Sequence, residues 1–143
     1  MNELLNASAV TFCDWLETKL PALGQRWWQD NVMDRLTFQQ QRIAQDKRID
    51  SLRALDLAAV LRVLDQNWHE LAAVERLPRD ARNWVKELQS VRNRWAHAPS
   101  AGLNIQDTYR DADTLGRLLE CLGADSGILA KVDKFKEQTL ARM

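Results

Sequence analysis

Residues 78–99 read PRDARNWVKELQSVRNRWAHAP. Apolar side chains at Ala81, Trp84, Leu88, Val91 and Trp95 recur every three or four positions, the period of a helix that buries one face. At about 100° per residue, Arg82, Lys86, Gln89, Asn93 and His97 share the opposite face as a polar stripe. Arg92 lies at the border between the two. Pro78 suits the first helical turn, where its missing N–H would be unpaired anyway, and Ala98-Pro99 stops the helix. The pattern predicts that Trp84, Leu88, Val91 and Trp95 are buried.

The same period runs outward in both directions. Upstream, Asp56 can cap a helix marked by Leu57, Val60, Leu61, Leu64, Trp68 and Leu71, with Leu55 and Val60 as a hydrophobic staple. Residues 2 to 20 form a first helix that Pro21 and Gly24 break. A second stretch carries Trp28, Val32 and Leu36 at steps of four. It decays into Gln39-Gln40-Gln41 and then an exposed elbow from Asp46 to Asp50. Downstream, Asn104 caps a helix with Asp107 in its first turn. Tyr109, Ala112, Leu115, Leu119 and Leu122 face inward there, and Gly123 suits the left-handed position that ends it. Asp125 or Ser126 opens a last segment with Ile128, Leu129, Val132 and Phe135. No stretch alternates like a strand. The expectation is an all-α, antiparallel up-and-down bundle of five to six helices.

Composition narrows the class. The chain has 143 residues, 45% apolar and 28% charged, which is enough for one domain with a substantial core. Lys+Arg and Asp+Glu both number 20, so bulk electrostatics cannot hold nucleic acid and any such site is a local patch. Cys13 and Cys121 lack metal-site spacing and read as two buried free thiols of a reducing cytoplasm. No apolar run approaches a membrane span, so a cytoplasmic location is expected, with no membrane partner. Core packing is the default role of the six tryptophans, but Trp27 and Trp28 point about 100° apart. One of that pair is expected at the surface or an interface.

Histidine is scarce. His69 sits on a helix rich in core residues and reads as structural or surface. His97 stands among cations: from Glu75 to His97 there are six basic residues against three acids. Arg82, Lys86 and Arg94, with Gln89, are the candidate phosphate contacts. Arginine offers a forked donor for phosphate oxygens, and histidine moves protons near neutral pH. Attack of a 2′-hydroxyl on a phosphodiester needs both services, a proton carrier and a cation for the growing phosphorane charge. No carboxylate or His/Cys set suggests a metal site, and no cofactor is implied. A basic stripe is also the ordinary solvated face of a helix. On an ideal helix, moreover, Arg92 and His97 are about 140° apart, so they do not obviously converge within one copy.

Val91-Arg92-Asn93-Arg94-Trp95-Ala96-His97 resembles the Arg-x(4–6)-His motif of the HEPN superfamily. Asp56 through Leu64, Asn67-Trp68, the Leu88 to Asn93 stretch, Tyr109, Asp113 and Arg117-Leu118-Leu119 are similar to the branch named for a yeast nuclear RNA endonuclease. The resemblance covers roughly residues 55 to 123. It implies one HEPN-like domain over 1–143, with N-terminal helices (1–54) of unassigned role, a core (55–123) and a C-terminal helix (124–143). It also implies a homodimer whose two motifs face a shared cleft, and metal-independent RNA cleavage, in phage defence or a related conflict system. Arg92 would then bind and stabilise the scissile phosphate. His97 would assist the 2′-hydroxyl or the leaving group, and Asn93 would orient His97 or the phosphate. Two alternatives stand beside this reading. One is an inert dimerisation or regulatory module attached to a larger ATPase or helicase-like protein; the other is a toxin held by an antitoxin.

Overall fold

The first eighteen-residue helix, α1 (Asn2–Lys19), runs to Pro21, where the missing proline N–H and its ring end the regular ladder in a 3-10 turn, Leu20–Leu23. In this computed structural model, which describes residues 1–100 and 102–143, every regular element is helical. Among the described residues there are seven α-helices and one π-helical turn, more than the five to six the periodicity suggests. The remaining α-helices are α2 (Phe38–Asp46), α3 (Leu57–Gln66), α4 (Trp68–Glu75), α5 (Ala81–Ala96), α6 (Ile105–Cys121) and α7 (Ser126–Ala141).

Two local features raise the count. The stretch carrying Trp28, Val32 and Leu36 is not one α-helix. It is a π turn at Trp28–Val32 followed by a 3-10 turn at Met33–Arg35. The glutamines expected to mark its decay instead open α2. Thr37 accepts from the Gln40 N–H at 3.1 Å while Gln40 Oε1 accepts from the Thr37 N–H at 3.0 Å, a complete capping box. The elbow from Asp46 does follow, with Lys47 to Asp50 outside any helix.

The second feature is Asn67. The apolar face from Leu57 to Leu71 is continuous in sequence, yet the backbone leaves helical geometry at Asn67 (φ −102°, ψ 0°) and divides α3 from α4. Its side chain is fully buried, and Nδ2 donates to the carbonyls of Asn31 and Val63, both at 2.7 Å. A buried amide satisfied in this way competes with the helix ladder.

The chain divides into two compact units, Ala9–Arg79 and Met1–Ser8 with Asp80–Met143. In the first, Arg35 and Glu70 pair at 3.1 Å, and Arg62 Nε donates to the Arg35 carbonyl at 2.8 Å. Asp56 caps α3 as expected, accepting from the Ala59 N–H at 2.9 Å. Trp27 and Trp28 meet edge to face at 5.9 Å, both half-buried.

In the second unit α6 packs on both α5 and α7. Asp113 of α6 meets Lys136 of α7, and Gly116 faces Val132, so the residue numbers run in opposite directions and the pair is antiparallel. An added Cβ on Gly116 would lie 3.1 Å from Val132 Cγ1, so glycine lets these helices approach closely. Asn104 caps α6, Asp125 caps α7, and Gly123 takes φ 72° where α6 ends. Among the described residues no helix is long and apolar enough to cross a membrane.

Candidate active site at the end of helix α5

Helix α5 begins at Ala81 behind Asp80, so Pro78 lies before the helix and not in its first turn. Ala81, Val85, Leu88 and Val91 are fully buried along one face. Trp84 and Trp95, expected in the core, are only half-buried, and Val85 occupies the place that the sequence reading gave to Trp84. Tyr109 of α6 is likewise half-buried, whereas Ala112, Leu115, Leu119 and Leu122 are buried as expected. Large indole and phenol rings at the edge of a small unit keep one side in solvent.

The polar stripe of α5 is uneven in its exposure. Arg82 and Gln89 are half-buried; Lys86, Asn93 and His97 are exposed. Arg82 and Lys86 are each engaged in an interaction of their own. Arg92 is half-buried, and its Nη1 reaches Asn93 Oδ1 at 3.4 Å, so the guanidinium turns toward the stripe. His97 is the residue at which the helix stops. Its N–H donates to the Arg94 carbonyl at 3.3 Å, a tightened last turn, and its imidazole is exposed. Among the described residues no hydrogen bond joins Arg92 to His97, and Arg92 has no carboxylate partner. One copy therefore presents the two groups on neighbouring turns without bringing them together.

Arg94 is held differently. Its Nη2 donates to Asp111 Oδ1 at 2.7 Å, and Trp95 Nε1 donates to Asp111 Oδ2 at 3.1 Å. Only 2% of the Asp111 side chain is exposed. Both oxygens of a buried carboxylate thus grip the last turn of α5 from α6, and much of the Arg94 charge is offset there. Asp111 was not among the candidates, although a carboxylate at a core position of the Thr108-Asp111-Ala112-Leu115 face requires a partner. Glu87 is paired as well, with Arg110 at 3.2 Å. Glu75, Arg76 and Arg79 belong to the other compact unit, so the patch on this one consists of Arg82, Lys86, Arg92 and Arg94 with Asp80 and Glu87.

Other candidates resolve simply. His69 is exposed. Cys13 is buried and free, and burial pushes its thiol up to about 11. Cys121, expected to be buried, is only partly so, and burial raises it too. Among the described residues no three His, Cys, Asp or Glu side chains group as a metal site would need.

The model of a family described as Swt1-like HEPN matches residues 6–123. The match takes in most of the N-terminal helices, which resemblance alone had left unassigned. No curated protein and no solved structure matches the chain.

Proposed function

Because the chain belongs to the Swt1-like HEPN family, we propose that it is a metal-independent endoribonuclease working as a homodimer, with Arg92 and His97 at the reacting centre. The observation that supports this reading is the contrast within one helix end. Arg94 is tied to a buried carboxylate, whereas Arg92 and His97 face outward without an acid partner among the described residues. A cation left unneutralised beside a proton carrier is what a phosphodiester requires.

In the proposed reaction the substrate 2′-oxygen attacks phosphorus, forming one P–O bond as the bond to the 5′-oxygen breaks. His97 takes the 2′-hydroxyl proton, and the departing 5′-oxygen receives one from a solvent water, whose hydroxide the protonated His97 then neutralises. The products are a 2′,3′-cyclic phosphate and a 5′-hydroxyl. Arg92 stabilises the phosphorane through two guanidinium N–H groups, and Asn93, already at its Nη1, holds that fork in place. A two-fold dimer lets Arg92 of one copy serve His97 of the other, which answers their separation within a single copy. Arg82, Lys86 and Gln89 extend the phosphate contacts along α5. Arg94 positions the helix end and adds only the residual field of a paired charge. The setting we assign is phage defence or a related conflict system.

Cleavage of mixed single-stranded RNA by wild type, Arg92→Ala, His97→Ala and an equimolar mixture of the two variants tests the proposal. The wild type and the re-mixed variants are expected to cut, and each variant alone to fail. A wild type that binds RNA but never cuts it would replace this reading with an inert dimerisation module.

A further inference from the structure

A cleft of about 560 Å³ opens beside Trp95, between the start of α1, the end of α5 and α7, all within one compact unit. Lys131, Lys134 and Phe135 of α7 line it, with Asn2 and Glu3 of α1. The sequence reading assigned nothing to these residues beyond an apolar role for Phe135.

Three properties define what it would hold. Lys131 and Lys134 are exposed and form no ion pair among the described residues, and Glu3 is the one acid in the lining. Trp95 and Phe135 are half-buried, so each ring leaves part of itself uncovered in the cleft. The indole is also held in place: its Nε1 donates to Asp111 and the Trp95 carbonyl accepts from Asn2 Nδ2 at 3.5 Å. A ring fixed before binding loses little entropy when a base stacks on it. Aromatic faces interleaved with unpaired cations are the chemistry of single-stranded nucleic acid, where bases stack and phosphates meet ammonium groups.

Of the cleft lining, Trp95 stands nearest in sequence to the proposed reacting centre. Trp95 follows Arg92 by three residues, so their Cβ atoms are surface neighbours about 5–6 Å apart. We infer that this cleft is the path of the RNA strand flanking the scissile phosphate, with Trp95 and Phe135 stacking bases and Lys131 and Lys134 holding phosphates. The inference rests on the ribonuclease reading above and adds a substrate subsite to it.

The test uses the full chain and a short fluorescent 2′-O-methyl oligouridylate, which lacks the attacking hydroxyl and stays intact. Lys131→Ala/Lys134→Ala is expected to weaken its binding roughly tenfold and to flatten the log–log salt slope by about 1.4, about 0.7 per phosphate lost. Phe135→Leu should weaken binding several-fold with the salt slope unchanged. Because the lysines are exposed, the double variant keeps its helicity. If the lysine variant binds like wild type while Arg92→Ala loses affinity, the cleft is not the strand path and the α5 reading stands. If wild type ignores the oligouridylate and the lysines instead govern binding of polyglutamate, the cleft takes an acidic protein segment and the inference falls.

Discussion

Asp111 and Arg94 form a 2.7 Å ion pair in which the carboxylate is buried and the guanidinium is about half exposed. The same carboxylate holds Trp95, so one α6 residue fixes the helix turn that carries Arg92 and precedes His97.

Asp111→Ala should therefore destabilise the fold by about 2 kcal/mol, somewhat below the loss for a fully buried pair because Arg94 can return to water. Asp111→Asn should cost less, since its amide oxygen still accepts one bond. Chemical denaturation checks both. No loss in Asp111→Ala would mean the pair does not hold the α5 terminus.

Asn67 is fully buried and makes three short bonds, two from Nδ2 and one accepted by Oδ1 from Asn31 Nδ2 at 3.0 Å. Asn67→Leu would leave the Asn31 carbonyl and one N–H of the Asn31 amide without this partner, the amide keeping only Glu70 at 3.3 Å, so a loss of about 3 kcal/mol is expected. A variant as stable as wild type would contradict the role given to Asn67 in dividing α3 from α4.

Asp113 is hydrogen-bonded by Lys136 at 2.8 Å and by Arg117 at 3.0 Å, which hold its carboxyl below the usual range. A carboxyl lowered in the folded state adds stability above its unfolded value of about 3.9 and loses it as pH falls through the folded value. Asp113→Asn should thus be less stable than wild type at neutral pH, with the difference closing below about pH 4. Salt should shrink it as well, because the pair is partly exposed. A stability gap that does not change with pH would contradict the assignment.

The thiols give an independent check of burial. With Cys13 buried, donating to the Leu52 carbonyl at 3.5 Å and pushed up to about 11, it should resist alkylation at pH 7 until the protein unfolds. Cys121, partly exposed and raised, should react slowly in the native state. Fast labelling of both would contradict the packing of α1.

The helical class and most caps were legible because period and cap chemistry are local: Asp56, Asn104 and Gly123 act as their residue types dictate. The α2 box was legible too, as Thr37 followed by Gln40, but the glutamine run masked it. Asn67 was not, because its effect depends on a partner thirty-six residues away. For the same reason the Arg92 to His97 stripe could be read from one helix, whereas Asp111 and the α7 lysines come to that helix only through tertiary packing.

The most direct measurement is analysis of the ends left on RNA after incubation with wild type and His97→Ala in EDTA. Cleavage by wild type alone, with 2′,3′-cyclic phosphate and 5′-hydroxyl ends and the matching DNA intact, is the predicted result. His97→Ala should fold as wild type does, with its stability within about 0.5 kcal/mol, since the side chain is exposed. Cleavage that needs added magnesium, or a fully active His97→Ala protein, would contradict it.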